Sequence, residues 1–355
     1  MNVDMPERAM KKDRIQTDAW KMTVKKYYVF AVLILTVVIL SVVKLDQVEL
    51  FGRGHFLSID SIFTLLIKAI PILTLCGGFT LLMISGNIDL SVGSALSLSA
   101  VVYSLMVING FAFWLALVLT MVLGIVLGFI NGLLVMKWRI TPVIATLVTL
   151  NLFKGAALLI VPRGLSGIKD GMAFTENGPK MHMQPWINDY SRNGIMPGVD
   201  LPPAFFVAVA VIIILVIVQR YTVLGKYSAA IGGNRTAAEL SGINAVKVGW
   251  LLYIIVGFLA ALAGISNASY QSMGNPLAGT GMELDCIIAV LLGGTSFAGG
   301  EGSVLKTVMG ALIIMCVTTG LMTVIEPFYQ TLVKGLVLIL AVTLNHLLVR
   351  QKVNA

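Results

Sequence analysis

The chain has 355 residues, 57% apolar and 12% charged, with 35 glycines, three cysteines and a formal charge of +8. A typical soluble domain is about 25% charged, and 25 Lys+Arg with 17 Asp+Glu cannot supply the polar skin of a water-soluble globule of this size. A soluble enzyme, a disordered chain and a disulfide scaffold are excluded, which leaves a polytopic membrane protein.

The expected fold class is all-α, because crossing about 30 Å of hydrocarbon takes roughly 20 apolar residues per helix. A basic leader, 1–26, precedes ten candidate spans: 27–43, 62–84, 92–108, 111–136, 142–161, 204–219, 248–269, 284–298, 304–325 and 328–349. The first, sixth and eighth are short. The first reads as an uncleaved helix, because its charged leader is too long for a signal peptide and no small-x-small site follows Val43. The chain divides into a first transmembrane half, 27–161, an extracytoplasmic loop, 162–203, and a second half, 204–349, with a tail at 350–355. The second half contains a cytoplasmic loop, 220–247. With both termini in the cytoplasm, the inside segments hold sixteen basic residues and the outside segments six, the expected asymmetry. The leader itself reads as an orientation signal in contact with lipid headgroups, and no partner role for nucleic acid is expected.

Segment five begins Thr141-Pro142 and continues to Thr146-Leu147-Val148; segment ten begins Glu326-Pro327 and continues to Thr331-Leu332-Val333. Gly124 and Gly310 stand about one segment earlier in each half. The matches predict two inverted five-helix repeats, a symmetry characteristic of transporters. Gly124, Gly128 and Gly132 share one face of segment four, and Gly257/Ala261 and Ala260/Gly264 do the same in segment seven. Such spacing predicts close helix packing.

Two polar interruptions break the apolar pattern. Gly86-Asn87-Ile88-Asp89-Leu90-Ser91-Val92-Gly93 separates segments two and three. It fits either a short inside turn with Asp89 or Ser91 as helix cap, or a broken helix whose backbone lines a path. The second runs from Gly274 to Asp285 and leads into segment eight, which a Gly-rich stretch, Gly293 to Ser303, ends. Glu283 and Asp285 fit caps of segment eight or a gating or path role; with Asp89 they are expected at segment ends. Lys68 is expected to snorkel, whereas Asn151, Lys154 and Lys334 lie deeper. The candidate path residues are Asn87, Asp89, Asn151, Lys154, Glu283 and Asp285. No P-loop is present, since Gly225-Lys226 has Arg220 where the first glycine belongs and Tyr227 after the lysine. Cys76, Cys286 and Cys316 lie in apolar stretches without metal-ligand spacing, so no metal site is expected.

In the loop 220–247, Asn234 is a good N-cap for a short helix that Gly242 ends. The segment AIGGNRTAAELSGI, together with GNIDLSVGS and MELDCIIAVLLGGTSFAGGEGS, stands in the order found in sugar-type ABC importer permeases. The chain resembles the ribose, galactose, xylose and arabinose group, within the larger family that includes branched-chain amino-acid permeases. Cys286 and Ile288 replace the usual alanines, and Ser269-Tyr270-Gln271 departs from the usual stretch. The resemblance implies a non-catalytic permease subunit of the inner membrane, half of a dimer and most simply a homodimer. Separate cytoplasmic ATP-binding subunits would hold ATP and Mg, and an extracytoplasmic sugar-binding protein would deliver a monosaccharide or similar polyol. It also implies that Ala237, Ala238, Glu239 and Gly242, behind the Asn234 cap, form the ATPase-coupling helix. The loop 162–203 fits either a docking site for the binding protein or a lid over the pore. The competing function is an ion-coupled secondary transporter of a small polar solute, which would need paired acids at mid-membrane.

Overall fold

The computed structural model describes residues 59–161 and 201–322, together with Met172–Ala173 and a few single positions, among them Ile34, Leu332 and Lys334. The first and tenth predicted segments, the basic leader and nearly all of the loop 162–203 lie outside the described residues. Ten helices are described: α1 (Ile59–Ile84), α2 (Val92–Ile108), α3 (Phe113–Gly132), α4 (Pro142–Ile160), α5 (Pro203–Tyr221), α6 (Val223–Gly233), α7 (Arg235–Leu240), α8 (Ala245–Gln271), α9 (Met282–Leu292) and α10 (Val304–Met322). A π-helical turn, Leu133–Lys137, extends α3. A two-residue strand, β1 (Met172–Ala173), pairs antiparallel with β2 (Met273–Gly274).

Among the described residues, five helices are long and apolar enough to cross a membrane: α1, α3 with its π turn, α4, α5 and α8. The chain is a polytopic helical membrane protein. Helices α1 and α8 are its buried centre, and α3, α4 and α5 turn most of their surface outward. Trp114, Val118 and Val122 on α3 and Ile213 and Ile214 on α5 are all exposed. In water such a surface would be costly; against lipid tails it is neutral.

The small-residue faces meet as their spacing predicts. A Cβ on Gly124 would reach the Ala261 Cβ at 2.5 Å, and one on Gly257 would collide with the Gly124 carbonyl. Helix α3 thereby packs closely on α8, while α10 packs on α1. The swap is repeated one layer out, with α2 against α8 and α9 against α1.

The stretch 284–298 is not a complete span. Helix α9 has 11 residues, about 16 Å at 1.5 Å per residue, half the hydrocarbon thickness. The chain reaches it by doubling back. Ser272, at φ +52°, turns the chain at the end of α8; Gly274 then lies against Ser104 and Val101, and Gly279 against Gly93. The Gly279 N–H donates to Ser97 Oγ at 2.8 Å. From Val101 to Gly93 is about 12 Å along α2, so α9 starts deep within the helix array.

The segment between α1 and α2 does the same from the opposite side. Ile88 accepts a hydrogen bond from Tyr253 Oη, 3.1 Å, and Leu96 and Ala100 lie beside Gly264. Helix α2 therefore starts about midway along the roughly 40 Å of α8. The two broken elements touch at Gly93 and Gly279, where a Cβ on either would collide with the other's backbone carbonyl.

Candidate functional site

At the end of the array where α8 begins, α6 and α7 form a compact cap. Asn234 accepts a hydrogen bond from the Ala237 N–H at 3.0 Å, which satisfies one of the free amides of a short helix. Arg235 Nε and Glu239 Oε1 pair at 3.0 Å on its surface. Gly242, at φ +86°, ends it and donates to the Glu239 carbonyl. Ala237 and Glu239 face outward, and Leu240 is 85% exposed. Ala238 does not: it is buried in the core, so it anchors the helix instead of presenting a surface. The predicted coupling residues are thus one local unit with an inner and an outer face.

This unit is joined to the membrane helices through glycines. A Cβ on Gly232 would collide with the Ile84 carbonyl and approach the Gly300 amide at 2.5 Å. The Gly300 N–H donates to that same Ile84 carbonyl at 2.8 Å. Gly299 lies on the Gly86 backbone. The ends of α1 and α6 and the turn between α9 and α10 therefore meet backbone to backbone, with no side chain between them to absorb a displacement.

Deeper in, the candidate path residues separate into four groups. Asp89 is buried and Oδ1 accepts from the Ser91 N–H at 2.8 Å and from Ser91 Oγ at 2.7 Å. Asn131 Nδ2 donates to Asp89 Oδ2 at 3.0 Å and to Ser91 Oγ at 2.7 Å. Asp89 holds the turn before α2 through these contacts and does not cap the helix: Ser91 stands at the N-cap position, and no side chain caps α2. Asn87 donates to Ser85, at 3.0 Å to its Oγ. Both Asn87 and Asp89 serve the turn, away from the cavities described below. Asn151 lies on the outer surface of α4 and donates to the Leu147 carbonyl of its own helix at 2.9 Å.

Lys154 and Glu283 do come together. They line a cavity of about 50 Å³ with Ser94, Ser97, Pro276 and Thr280. Glu283 Oε1 accepts from the Gly281 N–H at 3.3 Å, a contact to the residue before α9 that caps no amide inside the helix, and its other oxygen lies over Gly93. Asp285 caps nothing. Its Oδ2 accepts from Lys334 Nζ at 2.8 Å, across 49 residues of sequence. Both acids stand at a helix start, as expected, but that start is deep in the array and not at its edge. A paired acid and base therefore sit where the sequence suggested none.

The family model described as branched-chain amino acid transport system / permease component matches residues 61–342. The chain belongs to this family. It is a permease component, and its work is transport, not covalent chemistry. It is 34% identical to the ribose import permease protein RbsC of Escherichia coli K12 over 334 residues, 94% of this chain and 96% of that one. It is 39% identical to the ribose import permease protein RbsC of Bacillus subtilis over 269 residues, 76% of this chain and 79% of that one. It is 33% identical to the L-arabinose transport system permease protein AraH of Escherichia coli K12, with 75% of this chain and 76% of that one covered. No solved structure matches the chain.

Proposed function

We propose that this chain is the membrane permease of an ATP-driven importer for a monosaccharide, with a pentose as the first candidate. The observation that carries the assignment is the end-to-end similarity to ribose import permeases. The capped helix α7, with Leu240 and Glu239 outward and Ala238 anchored, supports a docking role toward cytoplasmic ATP-binding subunits. The Gly232–Ile84–Gly300 joint supports transmission: movement of α7 reaches α1 and α9 without slack, and alternating access follows as a shift between two packings. ATP and Mg belong to the ATPase subunits, and an extracytoplasmic binding protein supplies the sugar.

Both termini and the loop 220–247 face the cytoplasm in this scheme, the loop 162–203 faces the binding protein, and two copies of the chain form the pathway. The reciprocal packing of α3 on α8 and α10 on α1 supports the inverted five-helix repeat. An ion-coupled transporter would use the deep Asp285–Lys334 pair, but membership of a permease-component family weighs against it.

The test is purification from native membranes in mild detergent with mass spectrometry of what accompanies the chain. A near-stoichiometric ATPase is expected, and its loss in Glu239→Arg, which places like charges at 235 and 239, supports α7 as the docking element. Full ATPase recovery with that variant would overturn the docking assignment.

A further inference from the structure

A second cavity, of about 180 Å³, lies at the opposite end of the array from α7, between α1, α8 and α10. A water needs about 10–15 Å³ of such space, so the cavity holds on the order of a dozen water-sized groups. That is room for a pentose or hexose, which have roughly ten to twelve non-hydrogen atoms; the 50 Å³ cavity beside Lys154 has no such room.

Its lining mixes polar and apolar side chains, and each of the three helices contributes a polar one. Lys68 contributes a cation from α1. Asn267 and Gln271 sit in the last turns of α8, and Gln271 Nε2 donates to Asn267 Oδ1 at 2.8 Å. That bond leaves the Asn267 amide hydrogens as donors and the Gln271 carbonyl as an acceptor. The Thr319 hydroxyl on α10 is buried without a hydrogen-bond partner among the described residues.

Helix α1 adds a backbone acceptor. Pro71 lies inside the helix and has no N–H, so the Ile67 carbonyl lacks its i+4 donor. Ile67 and Pro71 both line this cavity. A backbone acceptor freed inside a membrane protein has to be satisfied by something polar.

We infer that this cavity is a sugar-binding subsite of the permease itself, in which Lys68, Asn267, Gln271 and Thr319 take the hydroxyls of one monosaccharide. The inference rests on the importer assignment above and gives the membrane subunit a share in substrate selection. Charge separates sugar from amino acid here. A zwitterionic amino acid needs an anion for its ammonium group, and no carboxylate lines the cavity among the described residues. A neutral polyol needs only mixed donors and acceptors beside an apolar wall, which Ile70 and Met315 supply.

The test is substrate protection of an engineered thiol in the full-length permease in lipid nanodiscs. Asn267→Cys is exposed to a small water-soluble maleimide; the native Cys76, Cys286 and Cys316 are buried, and the unsubstituted chain measures their background. Labelling of the introduced thiol is expected to proceed readily, and D-ribose, L-arabinose or D-galactose is expected to slow it several-fold. L-Leucine is expected to leave it unchanged. Lys68→Met in the same background should raise the protecting sugar concentration about tenfold, the effect of one charge-assisted hydrogen bond. Gln271→Cys repeats the measurement should Asn267→Cys fail to insert. No labelling at either position, or labelling that no sugar slows, overturns the subsite. If the intact transporter still takes up sugar in that case, the importer assignment stands while this inference falls. Protection by L-leucine alone would overturn both.

Discussion

Adjacent glycines at the end of α6 allow the transmission joint to be tested with a one-carbon probe. A methyl group at Gly232 collides with the Ile84 carbonyl and stands 2.5 Å from the Gly300 amide, whereas a methyl group at Gly233 meets nothing within 4 Å. Both contacts at Gly232 are backbone, so neither can swing aside. Relief requires α6 to move off α1 and the Gly300–Ile84 hydrogen bond to open. Overpacking of this kind costs about 1–3 kcal/mol and the bond about 1 more, so Gly232→Ala should lose about 2–4 kcal/mol. Gly233→Ala should be neutral or slightly stabilising, since alanine favours a helix over glycine by roughly 0.5–1 kcal/mol. Thermal unfolding in detergent measures the first effect, and uptake with ATPase co-purification measures the second. The expected pattern is a melting point several degrees lower and transport at least about tenfold slower in Gly232→Ala, with the ATPase still bound because α7 is untouched. Gly233→Ala should match the unsubstituted chain in all three. Equal behaviour of the two variants would refute the joint.

Lys334→Met strands the Asp285 carboxylate and should cost about 3 kcal/mol, the lower end for a broken buried pair because Lys334 keeps 29% exposure. Adding Asp285→Asn should restore most of the melting point, and a double variant no better than the single one would contradict a stabilising pair. Asp89→Ala leaves the Ser91 amide and hydroxyl without their acceptor and costs Asn131 one of its two, so thermal stability should fall by about 3 kcal/mol; a wild-type unfolding curve would show that water replaces the carboxylate at no cost. Lys154→Ala should change the KM for uptake by several-fold while leaving the melting point within about a degree, and unaltered uptake kinetics would remove Lys154 from the path.

Helix positions were legible wherever the apolar run was long. Segments 62–84, 92–108 and 142–161 match α1, α2 and α4 within a few residues, because Gly, Pro or polar clusters set their ends. The close packing of α3 on α8 was legible for a similar reason: small residues at a spacing of four mark one face. Helix α9 was not, since the apolar run 286–292 resumes at Phe297 and hydropathy does not register that Gly293 and Gly294 stop the helix between them. The depth of Glu283 and Asp285 was illegible too. It depends on the chain folding back along α2, a tertiary event that leaves only glycines and a proline as its trace. The Asp285–Lys334 pair joins residues from separate segments, and neither carries a local mark of the other. Asn131 escaped notice because a single asparagine in an apolar helix has no spacing partner; its role appears only once α3 brings it to Asp89.

The doubling-back of residues 275–281 carries irregular backbone to membrane depth without leaving its amides open. The N–H groups of 277–282 all find acceptors, on Asn275, Leu277, Gly279, Ser97 and Glu283. Fatty-acyl chains offer a backbone group nothing to bond with, so a fold-back inside a helix array depends on its own turns and its neighbours for every acceptor. What this segment then shows its surroundings is side chain: Leu277, Thr280 and Leu284 remain exposed.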